Sequence, residues 1–183
     1  DHPYVSRGAL KLVKGLDSFA IDPTGLVALD IGASTGGFTD VLLRRGARKV
    51  FAIDVGYGQL AWSLRSDPRV LVREGVNARS LTTADVPHVV DLVTMDVSFI
   101  SLGYILPEVP KVLAPGADVV ALVKPQFEAG REEVGKGGIV SDPKVHEAVL
   151  AKVTAEAEAL GFERCGMTPS PITGATGNRE FLL

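Results

Sequence analysis

Short apolar runs alternate along the chain with segments whose apolar residues recur every three to four positions. The runs LVALDIG (26–32), KVFAIDV (49–55), VLVREGV (70–76), VDLVTMDV (90–97) and DVVALVK (118–124) predict five strands. Their nearly continuous apolar character suits strands covered on both faces, as in a parallel sheet between helix layers. A late pair, around 163–169 and 179–183, lacks a helix between its members, so one of them is expected to run antiparallel. Helical spacing occurs at 5–18, 36–46, 57–66, 102–114 and 143–160. Strands and helices alternating at this spacing predict an α/β fold, a doubly wound and mostly parallel sheet with helices on both faces. With no internal repeat, low-complexity tract or boundary in view, residues 1–183 read as a single domain.

Two interruptions of the pattern carry candidate chemistry. The first is Asp30-Ile31-Gly32-Ala33-Ser34-Thr35-Gly36-Gly37, which ends a strand and opens a helix. Glycines there permit a tight turn and a close backbone approach to a ligand. A dinucleotide site needs glycine where this chain has Ser34, to make room for pyrophosphate. The side chain argues against NAD or FAD and is tolerable for S-adenosylmethionine, which has no phosphate. Asp30 is then a candidate for the ammonium of the methionine end, directly or through water. Asp54, ending the second strand, suits ribose hydroxyls, and Asn77, ending the third, suits adenine. Gly32, Ala33, Ser34, Gly36, Gly37, Phe38, Val55 and Asp96 complete the predicted cofactor set. Tyr57 and Trp62 are expected to line that pocket, with core packing the alternative for Trp62. The second interruption, EAGREEVGKGGIVSD (128–142), is polar and glycine-rich and follows the fifth strand. It is read as a lid or as a plain surface connection.

Composition narrows the classes. No apolar stretch is long enough to span a bilayer. One cysteine, Cys165, permits no internal disulfide and fits a reducing cytoplasm. The three histidines are scattered and no Cys/His group has metal-ligand spacing, so no metal is expected. The formal charge of −3 is at odds with unaided grip on RNA, where phosphate contacts dominate affinity. The chain starts at Asp1 rather than methionine, so a nucleic-acid-binding part is expected elsewhere in a longer protein.

Charge changes the picture more at particular positions. Asp96 ends the fourth predicted strand and Lys124 the fifth, and strand ends on one edge of a parallel sheet converge on the ligand crevice. Charges beside the apolar SFISL and the PQF turn need a reason. A ribose hydroxyl is a poor nucleophile while it keeps its proton, so methyl transfer onto it needs orientation and a base. A lysine serves as base when desolvation and a neighbouring cation favour its neutral form. Lys124 is the base candidate. Lys11, on the first predicted helix, and Glu180, in the last predicted strand, are further charges whose reach into the crevice spacing does not settle.

The segments SRGALKL, GASTGGFT, DVGYGQLAWSLR, DVSFISL, LVKPQFE and GN-x-E-F together resemble the TlyA family of haemolysin-like proteins, within the wider FtsJ/RrmJ-like ribose methyltransferases. The resemblance runs from Val5 to the C-terminus. It implies a Rossmann-like class I methyltransferase sheet of seven strands and S-adenosylmethionine-dependent 2′-O-methylation of ribosomal RNA, with cytidine as target base. It also implies a catalytic tetrad, here Lys11, Asp96, Lys124 and Glu180. Family members usually carry an N-terminal S4-like RNA-binding domain, which this chain lacks. Ribosomal RNA or ribosomal subunits are the expected partners. Arg7, Lys14, Arg131, Lys136 and Arg179 adjoin the catalytic segments and are the predicted RNA contacts. The denser cluster Arg44, Arg45, Arg48 and Lys49 lies at the opposite sheet edge, where a helix C-terminus attracts cations anyway. Two other readings stand beside this one: a small-molecule methyltransferase on the same fold, and a membrane-lytic protein as the haemolysin label suggests.

Overall fold

Strands without a polar face cannot leave either side in water, and here they gather in one sheet between two layers. The computed structural model describes residues 1–183. Its strands are β1 (Val27–Ile31), β2 (Lys49–Ile53), β3 (Val70–Arg73), β4 (Val90–Met95), β5 (Leu113–Val123), β6 (Thr168–Pro169) and β7 (Phe181–Leu182). They lie in the order β3-β2-β1-β4-β5-β7-β6. The first five pair in parallel, and β7 is antiparallel to both of its neighbours. The order reverses between β1 and β4, which opens a ligand crevice outside their carboxyl ends.

The helices are α1 (Ala9–Ser18), α2 (Gly37–Arg44), α3 (Trp62–Arg65), α4 (Pro125–Glu128) and α5 (Pro143–Ala159). Alternate strand residues face opposite layers. On one side α1 and α2 bury Leu12, Leu16, Val41 and Leu42 against Ala28, Leu92, Val120, Leu122 and Leu182. On the other, Val149, Leu150 and Val153 of α5 join Leu29, Val93, Met95, Val123 and Phe181.

Two predicted helices are corrected. At 102–114 the chain forms 3-10 turns, Leu102–Tyr104 and Leu106–Val112, and β5 already begins at Leu113. Pro107 and Pro110 have no N–H to donate, and their rings crowd the preceding turn, so an α-helix does not propagate there. At 57–66 only Trp62–Arg65 is helical, because the preceding turn places Gly58 at a φ of 70°. The predicted strand at 163–169 shrinks to Thr168–Pro169. The glycine-rich loop 128–142 holds two 3-10 turns, Arg131–Glu133 and Lys136–Gly138. Asn178, only 1% exposed, ties that loop to the segment before β7. Its Oδ1 accepts from Val140 N at 2.9 Å and its Nδ2 donates to Gly138 O at 2.9 Å.

Candidate active site

Strand alternation places three of the four charged residues on one face. Leu92, Leu122 and Leu182 belong to the layer under α1. Asp96, Lys124 and Glu180 lie an even number of residues from them, so their side chains emerge on the same side. The β5–β7 register pairs Leu122 with Leu182 and Val123 with Phe181. One step further sets Lys124 across from Glu180.

The fourth arrives by helix docking. Gly15 lets α1 settle onto the sheet: a Cβ there would stand 3.3 Å from Leu182 Cδ2 and 3.4 Å from Val120 Cγ1. One helical turn back is about 6 Å, close to the two-residue strand step from Leu182 to Glu180. Lys11 therefore meets Glu180, with Nζ 2.6 Å from Oε1. Lys124 Nζ lies 2.6 Å from Asp96 Oδ1 and donates to Ser98 Oγ at 2.9 Å. Two ion pairs thus stand side by side at the carboxyl end of the sheet. Both lysines are 8% exposed and Glu180 is 2% exposed, whereas the Asp96 side chain keeps 26% exposure.

Asp96 also borders a cavity of about 540 Å³ that Gly32, Ser34, Asp54, Val55 and Asn77 line. That volume is in the ordinary range of small-ligand sites. Gly32, at a φ of 82°, lets β1 pass close to β4, since a Cβ there would fall 2.1 Å from Asp96 O. Asp54 accepts from Ser34 N through Oδ2 (2.6 Å) and from Gly56 N through Oδ1 (2.9 Å). A carboxylate has roughly four acceptor sites, so lone pairs remain on both oxygens. Asn77 is exposed and accepts from Arg79 N.

Other predicted cofactor residues are placed elsewhere. Asp30 is fully buried, accepting from Thr39 Oγ1 at 2.7 Å and Thr94 Oγ1 at 3.3 Å. A ligand ammonium has no direct access to it. Burial drives its pKa up to about 7, with the Asp96 charge adding to the rise and the threonine hydroxyls opposing it. Gly36 is required by packing, since a Cβ there would strike Leu64 Cδ1 at 2.3 Å. At Gly37 a Cβ would meet Ser6 Oγ at 2.4 Å and Ala9 N at 2.9 Å. Phe38 and Ala33 are buried in the α1-side core. Trp62 and Tyr57 are 77% and 76% exposed, so neither packs in the core, and neither lines the cavity.

Arg7, Lys14, Arg131, Lys136 and Arg179 are all exposed. In the denser cluster, Arg44 pairs with Asp40 at 2.8 Å and donates to Pro3 O, and Arg45 pairs with Asp17 at 2.6 Å. Those two hold the N-terminal segment and α1 rather than standing free. Sequence reasoning missed several neighbours of the site. Ser98 bonds Lys124, and Gln126 Nε2 donates to Glu180 Oε2 at 3.0 Å. Phe99 is 90% exposed at a φ of 63°, with its ring 5.0 Å from that of Phe127. Glu128 clamps the loop after β4 by accepting from Ser101 Oγ at 2.6 Å and Leu102 N at 2.8 Å. Only the segments DVSFISL and LVKPQFE hinted at them, through polar residues set against apolar ones.

Residues 4–183 match the family model described as FtsJ-like methyltransferase. The chain belongs to that family. Among its relatives, the Bacillus subtilis (strain 168) protein YqxC is 55% identical over 181 residues, covering 98% of this chain. The 16S/23S rRNA (cytidine-2'-O)-methyltransferase TlyA of Mycobacterium tuberculosis is 52% identical over 183 residues, covering all of it. This chain spans 64% of the length of YqxC and 68% of that of TlyA. A solved Lactococcus lactis protein, named as a hemolysin, superposes with a TM-score of 0.96 at 52% identity, over 100% of this chain and 88% of that one. The expected FtsJ-like, Rossmann-like fold is therefore observed, seven strands with β7 antiparallel. On the haemolysin label, no helix is long and apolar enough to cross a membrane.

Proposed function

We propose that this chain is the catalytic domain of an S-adenosylmethionine-dependent enzyme that methylates the ribose 2′-hydroxyl of cytidine in ribosomal RNA. The observation that carries the reading is the juxtaposition of two lysine–carboxylate pairs, one of which, Lys124–Asp96, shares Asp96 with the cavity wall. The relative TlyA, named for this reaction, supports it.

The cavity fits the cofactor on its own features. Gly32 keeps its floor low, Asp54 retains lone pairs for ribose hydroxyls, Asn77 is free on its amide nitrogen, and Val55, Val76 and Ala78 add apolar wall. When bound, S-adenosylmethionine supplies an electrophilic methyl on a sulfonium. Lys124 Nζ, held between Asp96 and Ser98, points a remaining hydrogen-bonding position at an incoming hydroxyl and, once neutral, takes up its proton. Glu180 fixes Lys11, with Nζ 2.6 Å from Oε1. Asp30 holds the turn from beneath through Thr39 and Thr94. Phe99 offers an exposed aromatic face at the cavity rim on which an unstacked base can rest. Arg7, Lys14, Arg131, Lys136 and Arg179 supply phosphate contacts, with an S4-like domain of the complete protein adding the rest. A ribosomal substrate supports a cytoplasmic location.

The test uses the complete protein and ribosomal RNA, with ribose methylation mapped by mass spectrometry. Lys124→Ala is expected to lower turnover by about 100-fold or more while leaving cofactor affinity by calorimetry within about twofold. Near-normal turnover would remove Lys124 from the base role.

A further inference from the structure

Glu128 is a buried carboxylate that pairs with neither Lys11 nor Lys124. It ends α4, and its side chain is 2% exposed. Three donors from two other segments converge on it. Ser101 Oγ donates to Oε1 at 2.6 Å, Leu102 N to Oε2 at 2.8 Å, and Lys152 Nζ of α5 to Oε1 at 3.1 Å. A carboxylate taken out of water needs such partners, and here they tie three elements to one group.

The element it ends cannot hold its own shape. α4 is a single turn that follows directly on β5 and has no side-chain cap. Two backbone bonds close it, Phe127 N to Lys124 O and Ala129 N to Pro125 O, both at 2.9 Å. One isolated turn is unstable, because several dihedral angles are fixed for very few hydrogen bonds. Yet Lys124 pairs with Asp96 and Ser98, Gln126 donates to Glu180, and Phe127 lies against Phe99. The loop after β4 is no more regular, with neither helix nor strand between Met95 and Leu102. Within it Phe99 sits at a φ of 63°, which a bulky side chain adopts only where its surroundings impose it. Loop and turn meet at three successive places: Asp96 and Ser98 on Lys124, Phe99 on Phe127, and Ser101 with Leu102 on Glu128. The first involves the base itself and the second lies at an exposed ring. The third is buried, and Lys152 links it to α5, whose Val149, Leu150 and Val153 lie in the core.

We propose that Glu128 is a positioning residue for Lys124: by joining α4, the loop after β4 and α5, it fixes the base against Asp96 and Ser98. The catalytic half of this rests on the base role given to Lys124 under the methyl-transfer reading. What the joint requires is acceptor geometry rather than charge. Lys152 is half-exposed and has Glu156 as a second partner at 3.6 Å, so it does not depend on Glu128. Glu128→Gln keeps an acceptor for Leu102 N and can donate to Ser101 Oγ.

Two readouts on the complete protein test this. One is the rate at which an acetylating ester labels Lys124, followed by peptide mass spectrometry, with Lys11 of the other buried pair as internal reference. The other is turnover on ribosomal RNA, split into kcat and the KM for S-adenosylmethionine. Glu128→Ala is expected to speed labelling of Lys124 by about tenfold or more while Lys11 is unchanged. It is expected to lower kcat by about 100-fold with that KM within about twofold. Glu128→Gln should bring both readouts back to within about fivefold of the unaltered protein. Equal acceleration at Lys11 and Lys124 overturns the proposal, because Glu128 then only stabilises the fold. Unchanged labelling, unchanged kcat, or an equal loss in Glu128→Gln also overturns it. If Glu128→Ala does not fold, Ser101→Ala removes one arm of the joint and should move the same two readouts by about fivefold; no movement overturns the proposal. An unaltered protein that transfers no methyl group to RNA overturns the reading of the reaction instead, and the labelling contrast still decides whether Glu128 holds Lys124.

Discussion

Removing Lys11 tests how the site is held together. Its Nζ lies 2.6 Å from Glu180 Oε1, and both groups are nearly out of solvent. At an effective dielectric of about 20, the gross attraction at that distance is about 6 kcal/mol. Most of it is offset by the cost of desolvating both ions, so the pair adds little net stability. Removing one partner is different. Lys11→Met leaves Glu180 buried with only the Gln126 amide to serve it. The expected loss is about 3–5 kcal/mol in urea unfolding at neutral pH. Lys124→Met strands Asp96, whose 26% exposure lets water take over, and the expected loss is smaller, about 1–2 kcal/mol. Lys11→Met combined with Glu180→Gln removes both charges, and the new amide can donate to Gln126 Oε1, which is buried without a partner. Stability should return to within about 1 kcal/mol of the starting protein while methyl transfer stays lost. The reasoning fails if Lys11→Met costs less than about 1 kcal/mol, or if the double variant is as unstable as the single.

Asp54→Ala should weaken S-adenosylmethionine binding by about tenfold or more, seen by calorimetry; unchanged affinity takes Asp54 out of the site. Asp30 binds its proton more tightly folded than unfolded, so its contribution to stability is complete below about pH 4 and is lost as pH rises through about 7. The stability difference between the native chain and Asp30→Asn should therefore fall by about 1.4 kcal/mol per unit across that window, and a flat difference contradicts the burial argument. Gly36→Ala adds a Cβ against Leu64 and Leu60 at a φ of 108°, and should lower the midpoint of thermal unfolding by at least about 1 kcal/mol equivalent. Phe99→Ala, at an exposed side chain, should leave stability within about 0.5 kcal/mol but reduce turnover on RNA.

Much of this was legible in the residue pattern. Nearly continuous apolar runs announced a sheet covered on both faces, and the missing helix before the last run announced an antiparallel strand. The position of Asp96 and Lys124 at strand ends, on one edge, follows from strand period and parallel order alone. Those are local properties: each residue's direction is set by its neighbours along the chain. Proline also acts locally, and Pro107 and Pro110 carried the signal that the helix at 102–114 would not form.

Other features belong to no single segment. Whether Lys11 reaches Glu180 depends on where α1 comes to rest, and a glycine four residues away sets that by its contact with β7. Asp30, Gly36, Gly37 and Phe38 looked alike in sequence as parts of one turn. Only packing separates the residues that face the cavity from those pressed against Thr39, Leu64, Ser6 and the core. By itself the sequence determined the strands, their faces and the edge where chemistry gathers, because these follow from short-range geometry. Tertiary structure decided which charges pair and which residues of the turn face the cavity, because distances between segments far apart in the chain arise only when the layers close.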